Sequence, residues 1–170
     1  MTTRKAFYSF HYKPDNWRAS QVRNMGVVEG NKPASDNDWE EVKKGGDAEI
    51  KKWINGQMSG RSCAVVLIGK NTKDRKWIDY EIEKAWNDGK GLLGVYIHGL
   101  KDSDGNQSTK GGNPFSGFTV GEEKKKLSSI VKAYDPPYST SSYVYDHISS
   151  NLSDWIEEAI EIRKNYSSAT

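Results

Sequence analysis

The chain has 170 residues, enough to bury a core of its own, and its formal net charge of +2 sets up no field that would draw nucleic acid or an anionic membrane. Cys63 is the only cysteine and sits in an apolar run, which excludes a disulfide framework and fits a buried thiol in a reducing compartment. No apolar run approaches the ~20 residues that span a bilayer, and the opening MTTRKAFYSF has no signal-peptide core, so the expected location is cytoplasmic.

Lys5–Phe10, short and aromatic, reads as a first strand, followed by Ser9–Tyr12 and then Lys13-Pro14-Asp15. Pro14 disfavours helix at Lys13, and Asp15 is placed to cap a helix from Asn16 to about Met25 with Trp17 and Val22 facing inward. Gly26–Asp38 reads as a loop with a short strand at Val27–Val28, and Trp39–Lys44 as a helical turn. After Gly45-Gly46, Asp47 caps a helix to about Met58 with Ile50, Trp53, Ile54 and Met58 inward. Cys63–Ile68 is apolar at every position, the pattern of a central parallel strand covered on both faces. A helix over Lys76–Asp88 and a second buried strand, Leu92–Ile97, follow. Gly99–Gly121 is a long polar loop, Leu127–Ala133 reads as a last edge strand, and Ser142–Lys164 as a final helix.

This alternation predicts one α/β domain, flavodoxin-like in outline, with a mostly parallel central sheet and helices on both faces. Its core runs over about 4–135 and its closing helix over about 142–164. Ligands in such folds sit beyond the carboxyl ends of the strands, where the residues are Ser9–Tyr12, Gly69–Thr72 and His98–Lys101.

Familiar chemical motifs do not fit. Gly69-Lys70-Asn71-Thr72 lacks the first glycine of a phosphate loop, Ala64 standing in its place. No Gly-x-Gly-x-x-Gly follows a strand. Gly60–Ala64 precedes a strand, where a nucleophile elbow would follow one. His11, His98 and His147 lack metal-ligand spacing, so no metal is expected. His11 taken alone reads as a polar loop residue.

The Lys76–Asp88 segment has more to say. Ile78, Ile82, Ala85 and Trp86 form one apolar stripe on a helix. At about 100° per residue, Glu81 lies roughly 60° from the stripe's centre, at its border, with Trp77 one turn earlier on the same side. Burial there raises a carboxylate pKa, while the helix N-terminus lowers it. Glu81 is therefore either tuned for chemistry or a boundary charge paired with Lys84. Tyr80 points about 160° from the stripe, so it is expected to be exposed unless a ligand or second protomer covers it. Glu83 falls on the solvated face.

Three features in order carry a resemblance: Phe7-Tyr8-Ser9-Phe10 as first strand, the Trp77-x-x-Tyr80-Glu81 helix start, and the Asn113-Pro114-Phe115 loop. The chain resembles a bacterial TIR-like domain, similar to the TIR subunit of Thoeris antiphage systems. The resemblance implies an enzyme that cleaves NAD, its substrate, and makes a cyclic ADP-ribose isomer read by a separate effector protein. It implies Glu81 as the catalytic glutamate, Trp77 and Tyr80 lining the site, Ser9, Phe10, His11 and Tyr12 meeting the nucleotide, and contacts from Asp36 and Trp39. It also implies self-association with other TIR protomers. The rival readings are a non-enzymatic TIR–TIR interaction module and a nucleotide-binding sensor without turnover; nicotinamide release from NAD separates them.

Overall fold

The computed structural model describes residues 4–30 and 44–169. Five strands pair in the order β2-β1-β3-β4-β7, every pair parallel: β1 is Lys5–Ser9, β2 Glu29–Gly30, β3 Cys63–Ile68, β4 Gly91–Tyr96 and β7 Ala133–Tyr134. A separate antiparallel ribbon joins β5 (Thr119–Val120) to β6 (Lys125–Lys126). The helices are α1 (Tyr12–Arg23), α2 (Gly46–Met58), α3 (Lys76–Asn87) and α4 (Ser141–Ala169). No helix among the described residues is long and apolar enough to cross a membrane.

The period-two alternation of the strands sorts the core into two layers. Ala6, Tyr8, Cys63, Val65, Leu67, Leu93 and Val95 pack under α1 and α4. Phe7, Ala64, Val66, Ile68, Leu92 and Tyr96 pack under α2, α3 and the short 3-10 turn at Pro114–Gly117. β3 and β4 are buried along their whole length, as helix-covered parallel strands must be. The expected flavodoxin-like α/β layering is present.

Several boundaries differ from expectation. The first helix starts at Tyr12, so Asp15 lies inside it and His11 holds the N-cap position. Pro14 is tolerated because it falls in the first turn, where backbone N–H groups have no helical partner. The buried residues of α1 are Asp15, Arg18, Ala19 and Val22, the spacing of an inward stripe, whereas Trp17 is 56% exposed. The short second strand forms at Glu29–Gly30, two residues beyond Val27–Val28. Leu127–Ala133 is not a strand: Leu127–Ser129 is a 3-10 turn, and only Ala133–Tyr134 pairs with β4. α4 extends beyond Lys164 to Ala169. The turn expected at Trp39–Lys44 falls almost wholly outside the described residues.

Candidate active site

Glu81 stands in the second turn of α3, on the face turned to the sheet. Ile78, Ile82, Ala85 and Trp86 bury the stripe beside it, and Glu81 goes in with them at 9% exposure. Burial pushes its carboxyl up to about 8, against a smaller downward pull from the hydroxyl of Ser9. The bland pairing is absent, because Lys84 reaches forward to Asp88 at 2.8 Å. Glu83 is exposed, as expected.

Ser9 ends β1 opposite Val66 of β3, and the alternation that turns Phe7 toward α2 and α3 turns Ser9 the same way. That brings Ser9 under Glu81. The loop that follows divides. Phe10 packs against the α1–α4 layer and stacks on Tyr12, ring centroids 6.2 Å apart, so these two rings belong to the opposite side of the sheet edge. His11 stays at the rim; burial lowers its pKa, and the positive charge of Arg75, which caps α3, lowers it further. The end of β1 and the start of α3 therefore meet at the sheet's carboxyl edge.

Trp77 and Tyr80 meet edge to face at 5.8 Å and pack on the α2–α3 layer. Tyr80 is half-buried rather than exposed. Its hydroxyl donates to Asn55 Oδ1 of α2 at 2.8 Å, and Lys51 approaches its ring at 5.6 Å. The expectation took the free helix and left out α2, whose Asn55 meets the Tyr80 hydroxyl and whose Asp47 pairs with Lys76. Asp36 and Trp39 lie outside the described residues. Among the described residues no group of three or more His, Cys, Asp or Glu is placed to hold a metal.

The rim also holds residues that sequence reasoning passed over. Arg18 is buried and fully engaged: Nε donates to Leu100 O and Nη2 to Asn106 O, each at 2.8 Å, and Nη1 meets Asp15 Oδ1 at 3.2 Å. The Asp15 carboxyl sits against Gly69, where a Cβ would come within 2.1 Å of it. Gly69 N in turn donates to Thr72 Oγ1 at 2.8 Å. The pair thus ties α1 to the turn after β3 and to the loop after β4. The available signal was the Asp15-x-x-Arg18-Ala19-x-x-Val22 spacing, hidden because half of that stripe is charged. A cleft of about 430 Å3 at the β4–β7 edge, bounded by Tyr96, Lys110, Asn113 and Asp135, does not include Glu81.

A buried carboxyl with few partners, at the carboxyl edge of a parallel sheet, suits stabilisation of a developing positive charge. Comparison with known proteins points the same way. A family model described as Thoeris protein ThsB, TIR-like domain, matches residues 7–102. A protein of Bacillus cereus (strain MSX-D12) named "Putative cyclic ADP-D-ribose synthase ThsB1" is 37% identical over 131 residues, 73% of this chain and 68% of its own length.

Proposed function

This chain belongs to the Thoeris ThsB TIR-like family, and on that premise we propose that it cleaves NAD, releases nicotinamide and forms a cyclic ADP-ribose isomer as a messenger in antiphage defence. The observation that carries the reading at the level of chemistry is the buried Glu81 carboxyl in the second turn of α3. Breaking the nicotinamide–ribose bond sends the electron pair to nicotinamide, which leaves as a neutral base and needs no general acid. The ribose is left with oxocarbenium character. One carboxylate beside it stabilises that charge, unlike the pair used by common glycosidases. The free site holds Glu81 largely protonated near neutrality, and the cationic pyridinium of bound NAD favours its ionised form. Attack by another group of the same nucleotide, with loss of its proton, closes the ring. Trp77 and Tyr80 serve to exclude water, which would otherwise give linear ADP-ribose.

In this reading Glu81 is the catalytic residue. Ser9, His11, Trp77 and Tyr80 border the nucleotide, while Phe10 and Tyr12 contribute from the neighbouring face. The chain acts as one TIR-like unit with α4 closing its sheet, self-associates with other TIR protomers, and hands its product to a separate effector. The test is direct: incubate purified protein with NAD and follow nicotinamide release and product mass. Most consumed NAD is expected as a species of the mass of ADP-ribose less one water. Glu81→Gln should lower turnover by orders of magnitude while Glu83→Gln leaves it near wild type. A Gln variant at position 81 as active as wild type would remove the assignment, and linear ADP-ribose alone would make the protein a simple hydrolase.

A further inference from the structure

Among the described residues, five buried side-chain atoms lack a hydrogen-bond partner, Ser9 Oγ and Glu81 Oε2 among them; the strand alternation turns Ser9 to the face on which Glu81 is buried, and its hydroxyl lies close enough to pull the Glu81 pKa down. Ser9 is 1% exposed, at the end of a strand whose position is set by pairing with β3 on one side and β2 on the other. An orphan buried hydroxyl is costly to keep, so its position beside an orphan carboxyl oxygen calls for an explanation. A hydroxyl is a donor to an ionised carboxylate, and a charge-assisted hydrogen bond is shorter and stronger than a neutral one. The two groups are therefore poised to pair when Glu81 loses its proton.

We propose that Ser9 is a positioning residue for the reaction: its hydroxyl donates to the Glu81 carboxylate on ionisation, setting the acidity at which the site becomes competent and fixing the direction in which the carboxylate points. This rests on the reading of Glu81 as the reacting carboxylate and gives Ser9 a role beyond bordering the nucleotide. Other charged or titratable groups lie on the surrounding elements. On α3, Lys84 pairs with Asp88, Glu83 is exposed and Lys76 pairs with Asp47 of α2. Asp79 is shifted by burial and Asp74, Lys51 of α2 lies toward Tyr80, and His11 feels Arg75. Burial and Ser9 are what move Glu81.

The experiment compares wild type, Ser9→Ala and Ser9→Thr over pH 5.5–9.5, with thermal melts to confirm folding. Ser9→Ala should move the acid limb of kcat/KM upward by about one pH unit, which is about a tenfold loss on that limb with recovery toward wild type on the alkaline plateau. Ser9→Thr keeps the hydroxyl and should leave the limb in place. A readout independent of turnover is the carboxyl carbon NMR titration of Glu81, assigned with Glu81→Gln; its midpoint should rise in Ser9→Ala. An unmoved midpoint, or an activity loss equal at all pH values, would overturn the proposal. Full activity in Glu81→Gln would instead overturn the catalytic assignment, and the NMR midpoint would still decide whether Ser9 governs the carboxyl.

Discussion

Ionising a carboxyl as deeply placed as Glu81 works against the folded state. Its folded pKa, raised to about 8, exceeds its unfolded value, so the native chain binds more protons than the unfolded chain between roughly pH 4.5 and 8. Stability should therefore fall as pH rises through that window, and the deficit is complete above it. Glu81→Gln removes the titration. The variant should melt above wild type at pH 9, by an amount on the order of a few kcal/mol at most, with the gap closing as pH falls toward 4.5. Melts of the two proteins that run parallel from pH 5 to 9 would show that the carboxyl is solvated in solution. Arg18 is the opposite case, a buried charge whose donors are met by Asp15, Leu100 and Asn106. Arg18→Ala leaves Asp15 buried without its cation and should cost about 3–5 kcal/mol, read as a lower denaturant midpoint with unchanged slope.

At the scale of elements, the sheet's carboxyl rim depends on backbone laid against backbone. The loop after β4 crosses the turn after β3 so closely that a Cβ on Gly111 would lie 2.2 Å from Gly69 O and 2.6 Å from Lys70 O. Neither carbonyl can move without shifting the end of β3. A Cβ on the adjacent Gly112 would meet only the Lys73 side chain, at 2.8 Å, and a lysine can swing away. Gly111→Ala should therefore cost roughly 1–3 kcal/mol in chemical denaturation, whereas Gly112→Ala should stay within about 0.5 kcal/mol of wild type. Equal effects of the two would mean that the loop is not seated on the turn. Asp15 also serves this rim: its side chain turns inward to Gly69 instead of capping α1, whose N-cap position falls to His11.

At the scale of the whole molecule, one chain supplies more of its site than helix geometry alone provides. Helix geometry alone turns Tyr80 to a side that a ligand or a second protomer would have to cover. Asn55 of α2 now occupies that side, and Glu81 is desolvated within a single chain. The proposed self-association must then act on nucleotide binding and water exclusion, not on the burial of the carboxyl. By mass action, assembly that contributes 1.4 kcal/mol raises activity about tenfold. Specific NAD turnover is expected to rise with protein concentration from nanomolar to micromolar, in step with mass by light scattering. Flat activity from a monomer throughout would show a site complete in one chain.

The layered architecture is legible in the chain before any folding is known, because β3 and β4 are apolar at nearly every position and such strands fit only between two layers of helices. It also placed Glu81 at the edge of the α3 stripe and carried the family likeness that the comparisons bear out. What opposes each face emerges from the packing of distant elements. Periodicity reports where apolar side chains recur along one helix; it cannot report that a charged position is matched from elsewhere. Arg18 is buried because Leu100 O, 82 residues away, accepts its Nε–H. Tyr80 is half-buried, its hydroxyl taken by Asn55, 25 residues upstream on α2. The last strand shrinks to two residues because only Ala133–Tyr134 reaches the edge of β4. The depth of Glu81, and the placing of Ser9 on its face from a strand some seventy residues earlier, arise the same way: long-range packing selects neighbours that local spacing leaves open.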